Sequence, residues 1–240
     1  MPGFDTAGRI QNTYASARRE FGANPGFWIR YFPPSPAADL FSDSAVAESR
    51  GAWDSGGPHV GCVSAPWQSR LSGSAAEGLA DAQTFAAGML AAYHAVRPLQ
   101  LPSNNRLYCW LDQEYSTSLS PAYWQAWAHY IAEYDFAGLG IYPLYPCLYC
   151  SPNSPYPNCT TIAKARGVNV PAAIWTPENQ VCGTLSRPPR WNPAKCGTVP
   201  TRLWQFAEQV ACNLSANVDI NVGAPGFGTA DFCFRLSRRP

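Results

Sequence analysis

Short extended segments alternate with amphipathic helical ones along most of the chain, and that alternation admits few folds. A strand followed by a helix and then by another strand builds a parallel sheet wrapped in helices. Eight candidate strands are read at residues 2–6, 27–32, 59–65, 106–114, 137–142, 170–175, 201–206 and 218–222. Eight such strands predict an α/β fold, a TIM-like (β/α) barrel, and 240 residues fill one barrel domain without a second core.

The helical segments are clear in the first half, at 11–21, 42–53 and 74–96. In the third of these, Leu79, Phe85, Leu90 and Tyr93 recur at helical spacing. Ser120-Pro121 then opens a helix to about residue 134, with a good N-cap and proline in the first turn. Beyond it the pattern thins. Residues 145–158 are full of Pro, Cys and Tyr and predict a non-helical insertion, extending to about 160. A short helix is expected at 161–166 and a long loop at 176–200, so helices should be sparse in the second half.

Strand four carries the chemistry. In Leu107-Tyr108-Cys109-Trp110-Leu111-Asp112-Gln113-Glu114, alternation sends Leu107, Cys109 and Leu111 outward. Tyr108, Trp110, Asp112 and Glu114 then face the barrel, with both carboxylates at the C-terminal mouth, where barrel enzymes place catalytic groups. Alternate positions on a strand lie roughly 6–7 Å apart, at a rise of ~3.3 Å per residue. Two carboxyls that close fit a glycosidase pair, and their repulsion should keep one protonated near neutral pH as a general acid. Asp5 at the end of strand one and Asp219 on strand eight are expected to meet beside them.

At these residues the chain resembles the family 25 glycoside hydrolases, lysozymes that cut peptidoglycan between muramic acid and glucosamine. It is most similar to a divergent glycoside-hydrolase-like branch of bacterial barrels. The matching motifs are Gly3-Phe4-Asp5, Asp112-Gln113-Glu114, Leu203-Trp204-Gln205-Phe206 and Val218-Asp219-Ile220-Asn221, in family order over nearly the whole chain. The resemblance implies a single glycoside-hydrolase-like domain over 1–240. It implies Glu114 as proton donor to the leaving oxygen. Asp112 would stabilise charge at the anomeric carbon, orient an acetamido group or act as nucleophile, with Asp5 and Asp219 tuning the pair. Tyr142, Trp175 and Gln205 would line a sugar site. Arg30, on Phe27-Trp28-Ile29-Arg30-Tyr31-Phe32, departs from the pattern and is expected to face the barrel and bind or pair there.

Other readings are weaker. A chitinase-like ladder needs a further carboxylate where Trp110 stands. A non-catalytic carbohydrate- or wall-binding barrel would keep the aromatics and lock Glu114 in a salt bridge. His59, His94 and His129 lie far apart and are read as structural; HExxH, GxSxG and P-loop motifs are absent from the sequence. The glycine-rich stretch 223–228 follows the last strand and is read as a turn. Tyr123, Trp124, Trp127 and Tyr130 fall at helical spacing and are expected to pack a helix on the sheet. Trp53, Trp67 and Trp191, at loops or element ends, are better placed to stack on sugar rings.

With 17 basic and 16 acidic residues the net charge is +1, which gives no electrostatic footprint for nucleic acid. Arg235, Arg238 and Arg239 read as a solvated tail. The apolar stretch 85–96 is too short to span a bilayer and is broken by Gly88 and His94. The expected partner is therefore a polysaccharide, bound by a monomer, with no membrane, no cofactor and no metal. Five of the nine cysteines, Cys147, Cys150, Cys159, Cys182 and Cys196, fall in one Pro-rich region. Two or three disulfides and an extracellular or exported protein are expected, with a zinc site on Cys147 and Cys150 as the rival. Met1-Pro2-Gly3-Phe4-Asp5 reads directly into strand one without a leader. A cytosolic chain, export without a cleaved leader, or loss of a leader would each fit that start.

Overall fold

The computed structural model of the chain describes residues 1–6, 10–21, 24–32, 45–57, 59–96, 99–100, 106–135, 144–178, 180–229 and 234–236. Ten strands form one sheet: β1 (Pro2–Thr6), β2 (Trp28–Phe32), β3 (His59–Ser64), β4 (Leu99–Gln100), β5 (Leu107–Asp112), β6 (Leu144–Tyr149), β7 (Ile174–Thr176), β8 (Thr201–Ala207), β9 (Asp219–Gly223) and β10 (Phe234–Leu236). Eight of them close into a barrel in the order β1, β2, β3, β5, β6, β7, β8, β9 and back to β1. The short β10 pairs with the beginning of β3, and β4 with β10.

The sheet is mixed. Neighbours from β1 through β8 run parallel, but β9 is antiparallel to both β8 and β1. The expectation of a wholly parallel barrel is corrected here. Too few residues separate β8 from β9 for the helical crossover that parallel neighbours need, so the chain simply turns back.

Alternation along the strands sorts side chains into two cores. Inside the barrel lie Phe27, Ile29, Val63, Tyr108, Trp110, Cys147, Tyr149, Trp175 and Leu203. The outer core, under the helices, takes Phe4, Trp28, Phe32, Leu107, Cys109, Leu111, Leu148, Trp204 and Ile220. The division expected for strand four is therefore observed residue by residue.

Helices α1 (Ile10–Phe21), α2 (Ala45–Asp54), α3 (Ala75–Ala95) and α4 (Pro121–Glu133) cover the first half of the barrel. Ser74 and Glu77 form a capping box that starts α3, and Ser120 caps α4 by accepting from the Tyr123 amide. Tyr123, Trp124 and Trp127 are buried, in keeping with their helical spacing. The two helices approach closely at Gly78, where a Cβ would collide with the Tyr123 carbonyl oxygen. After α5 (Cys159–Lys164) the described residues contain no further α-helix, as the thinning sequence pattern implied.

The fifth barrel strand differs from expectation. Residues 137–142 lie outside the described residues, and the strand that pairs with β5 is β6, inside the segment read as an insertion. Its alternation was hidden by Pro146 and by cysteine and tyrosine facing inward. Pro146 cannot donate to a ladder, yet its carbonyl accepts from Ala172 N at 2.9 Å.

Two disulfides secure the sparsely covered half. Cys159–Cys196 ties the start of α5 to the long loop, and Cys182–Cys212 ties that loop to the turn after β8. Such bridges fit an oxidising environment. Among the described residues, Cys62, Cys109, Cys147 and Cys150 are free and buried. Cys147 belongs to the interior core and Cys150 to the outer one, so the pair offered by the zinc reading points to opposite sides of the sheet. Closing loops of 37 and 30 residues, each bridge should contribute about 2–4 kcal/mol. A reducing agent should then lower the melting temperature by roughly 6–12 °C per bridge lost, measured by calorimetry.

Candidate active site

Four sequence-predicted carboxylates converge at one mouth of the barrel. Asp5 is the penultimate residue of β1 and pairs in register with Asp219, the first residue of β9. Because β9 runs antiparallel, its beginning lies at the end of β1, and the two acids meet. Asp112 ends β5, and its register partner on β6 is Tyr149.

The ladder stops at Asp112, two residues short of expectation. Gln113 is buried and donates to the carbonyls of Thr117 and Pro157, both at 2.7 Å. Glu114 is held instead by Gln68, whose Oε1 accepts from the Glu114 amide at 3.0 Å and whose Nε2 donates to the Asp112 carbonyl at 3.1 Å. A short 3-10 turn at Gln68–Arg70, after β3, supplies this clamp.

The four acids are not equivalent. Asp5, 1 % exposed, accepts from the Tyr31 hydroxyl at 2.9 Å and from Asn221 Nδ2. Asp219 accepts from Gln205 Nε2 at 2.7 Å and from the Gln209 amide. Both carboxyls are therefore engaged on both oxygens. No hydrogen bond to the Asp112 carboxyl is made among the described residues, and its Oδ1 is buried without a partner. Such a group costs free energy unless a ligand satisfies it. Glu114 reaches solvent and, among the described residues, has no cation paired with it.

Crowding shapes the charge. Burial first, then Asp219, hold the Asp5 carboxyl well above the ordinary carboxylate range, against the pull of its hydrogen bonds. Burial, then Glu114 and Asp5, do the same to Asp112. Asp219 is pushed up to about 6, chiefly by burial, with Glu208 and Glu114 adding to it against its hydrogen bonds. Although Glu114 touches solvent, the rim withdraws enough water to raise its carboxyl, and Glu208 adds to this. Asp5 has two hydrogen bonds to set against its burial, whereas Asp112 has none among the described residues, so its ionisation is the least supported of the four.

Of the remaining predicted residues, those described do not line an open sugar site. Arg30 is a correction: it is wholly buried on the outward face of β2, between Trp28 and Phe32, and donates to the Thr6 carbonyl at 2.7 Å. The alternation of β2 puts Ile29 and Tyr31 inside instead. Trp175 and Gln205 do face the interior but are 0 % and 1 % exposed, so they support the acids and do not line an open surface. Trp175 Nε1 donates to Asn221 Oδ1 at 2.8 Å, orienting the amide that serves Asp5. Gln205 bridges Asp219 to the Tyr149 hydroxyl, which donates to Gln205 Oε1 at 2.7 Å. Tyr142 lies outside the described residues.

Sequence reasoning missed Tyr31, Tyr149, Asn221, Gln68 and Glu208. Tyr31 and Asn221 were within reach, each two places beyond an inward residue of its strand. Tyr149 sat in a segment read as loop, and Gln68 in a turn without signal. Glu208 follows β8 directly and so joins the acids at the mouth. Burial raises the phenol pKa values of Tyr31 and Tyr149, which stay protonated as donors.

No protein-family model matches the chain, and no curated protein is significantly similar to it. Among solved structures, an uncharacterized protein of B. stearothermophilus, determined at 1.07 Å, superposes with a TM-score of 0.69 at 20 % identity. The match covers 97 % of this chain and 99 % of that one, so the two share a fold over their full extent.

A carboxylate with a raised folded pKa binds protons more tightly in the native state, so stability falls as pH rises through the window above its unfolded value. The melting temperature should accordingly decline between about pH 4 and pH 7. Asp112→Asn, which removes the cost of keeping a buried carboxyl neutral, should melt higher than the wild type at pH 7, with the difference closing near pH 4. Calorimetry at the two pH values reads both effects.

Proposed function

We propose that the protein is a glycoside hydrolase of the TIM-barrel type, acting on a cell-wall polysaccharide, with peptidoglycan as the substrate of first choice. The observation that carries this reading is the pairing of Asp112 and Glu114 at a barrel mouth, one buried with an unsatisfied oxygen and the other open to solvent. The resemblance of four ordered motifs to the family 25 lysozymes supports it.

The positions suggest a division of labour. Glu114, at the outer edge, is reached by a leaving glycosidic oxygen and donates the proton. Asp112, deeper, faces the ring and opposes positive charge as it develops at the anomeric carbon, as stabiliser or nucleophile. In the free mouth burial favours protonated Asp112. Positive charge on the sugar favours its anion, so the shared proton shifts towards Glu114 as the bond breaks. Stabilisation of that kind grows towards the transition state and accelerates the reaction. Asp5 and Asp219 hold the field around the pair.

The lack of a basic partner on Glu114 among the described residues favours catalysis over the binding-barrel alternative, whose mark would be a locked glutamate. The two disulfides fit an exported protein that works at a cell wall.

Release of reducing ends from purified peptidoglycan, with chitin in parallel, tests the proposal. Glu114→Gln should abolish turnover with the fold intact by circular dichroism, and Asp112→Asn should lower kcat by roughly three orders of magnitude, about 4 kcal/mol of barrier. Full activity in the Glu114→Gln protein would end the assignment.

A further inference from the structure

Among the described residues, Trp67, Tyr115 and Tyr156 are the aromatic side chains that stand exposed, at 62 %, 55 % and 44 %. The other described tryptophans are buried or half-buried. Single exposed rings are ordinary on a protein surface. These three, however, belong to one connected rim. Trp67 precedes Gln68, the residue that clamps the Glu114 amide. Tyr115 follows Glu114. Its carbonyl accepts from Ser154 Oγ at 2.6 Å, and the same Ser154 oxygen accepts from the Tyr156 amide at 3.2 Å. Pro157 then accepts from Gln113 and from the Leu119 amide, fastening this loop to the turn that carries Glu114.

The rim thus presents three exposed rings on loops tied to the outer carboxylate, at the edge of an acidic mouth. A polar, acidic surround with flat apolar faces suits a ligand with hydroxyl groups around its edge and C–H groups on its faces. A pyranose has that build, and a rim that carries several such rings suits a chain of them. We propose that Trp67, Tyr115 and Tyr156 form an extended subsite that binds sugar residues of a β-linked glycan on the Glu114 side of the mouth. This rests on the glycan reading of the site, although binding at the rim does not require turnover. The subsite makes the protein selective for long strands over short oligosaccharides, because only a strand that passes the mouth reaches all three rings.

The test uses N-acetylglucosamine oligomers of two to six sugars and glycan strands from peptidoglycan. In the Glu114→Gln background, titration is followed by calorimetry and by tryptophan fluorescence, to which the exposed Trp67 contributes. Affinity should rise with length, and Trp67→Ala with Tyr115→Ala should weaken binding of the longest probes about tenfold or more, with a smaller loss on the shortest. Trp67→Phe, which keeps a flat face, should recover much of the loss; a general disturbance of the loop would not be rescued so. Length-independent binding, variants that bind every probe as tightly as their parent, or a parent that binds none of them would overturn the subsite. Hydrolysis that survives Glu114→Gln alongside ring-dependent binding would remove the catalytic reading and leave the subsite standing.

Discussion

The antiparallel closure of the barrel by β9 is the constraint on which the site depends. Parallel barrel strands end at one mouth, so Asp5 and Asp112 reach it from the ends of β1 and β5. Asp219 begins its strand, and in a parallel β9 it would lie at the opposite end, a barrel's length away. Reversal of β9 puts Asp219 in register with Asp5 and sets Asn221 opposite Gly3 within the same ladder. Asn221 then donates to Asp5, and Trp175 donates to Asn221. One strand direction therefore supplies both a carboxylate and the amide that holds its neighbour.

Hydrogen bonding divides the acids that this closure gathers. Asp5 and Asp219 are engaged on both oxygens, by Tyr31 and Asn221 in one case and by Gln205 and the Gln209 amide in the other. They act as fixed parts of the mouth. Asp112 has no such partners among the described residues, and its burial beside Glu114 and Asp5 opposes its ionisation. Native structures seldom leave a buried carboxyl oxygen unsatisfied, and the exceptions concentrate where a ligand or a reaction completes the environment. On the function proposed above, the buried carboxyl costs the fold some stability and responds when positive charge develops above it.

Much of this was legible in the sequence where period and chemistry agreed. The alternation of strand four separated Tyr108 and Trp110 from Leu107, Cys109 and Leu111, and the structure places the two sets in different cores. Asp5 and Asp219 were expected to meet and do, although the expected parallel sheet would have kept them apart. Arg30 was misplaced because its strand is buried on both faces, and a buried charged residue gives no pattern by which to choose a side. β6 was hidden because proline and cysteine stand where β-branched residues usually announce a strand. The Gln68 clamp depends on a contact across 46 residues, which no local pattern encodes.

Fold and proposed function meet at Asp112, whose ionisation is opposed by burial and then by Glu114 and Asp5. Carbon-13 NMR of aspartate-labelled protein, with Asp112→Asn for assignment, follows its carboxyl directly through a pH titration. The account predicts a pKa well above the ordinary value near 4, which falls when Glu114→Gln removes the nearest repulsion. An Asp112 that titrates near 4 and ignores Glu114 would contradict it.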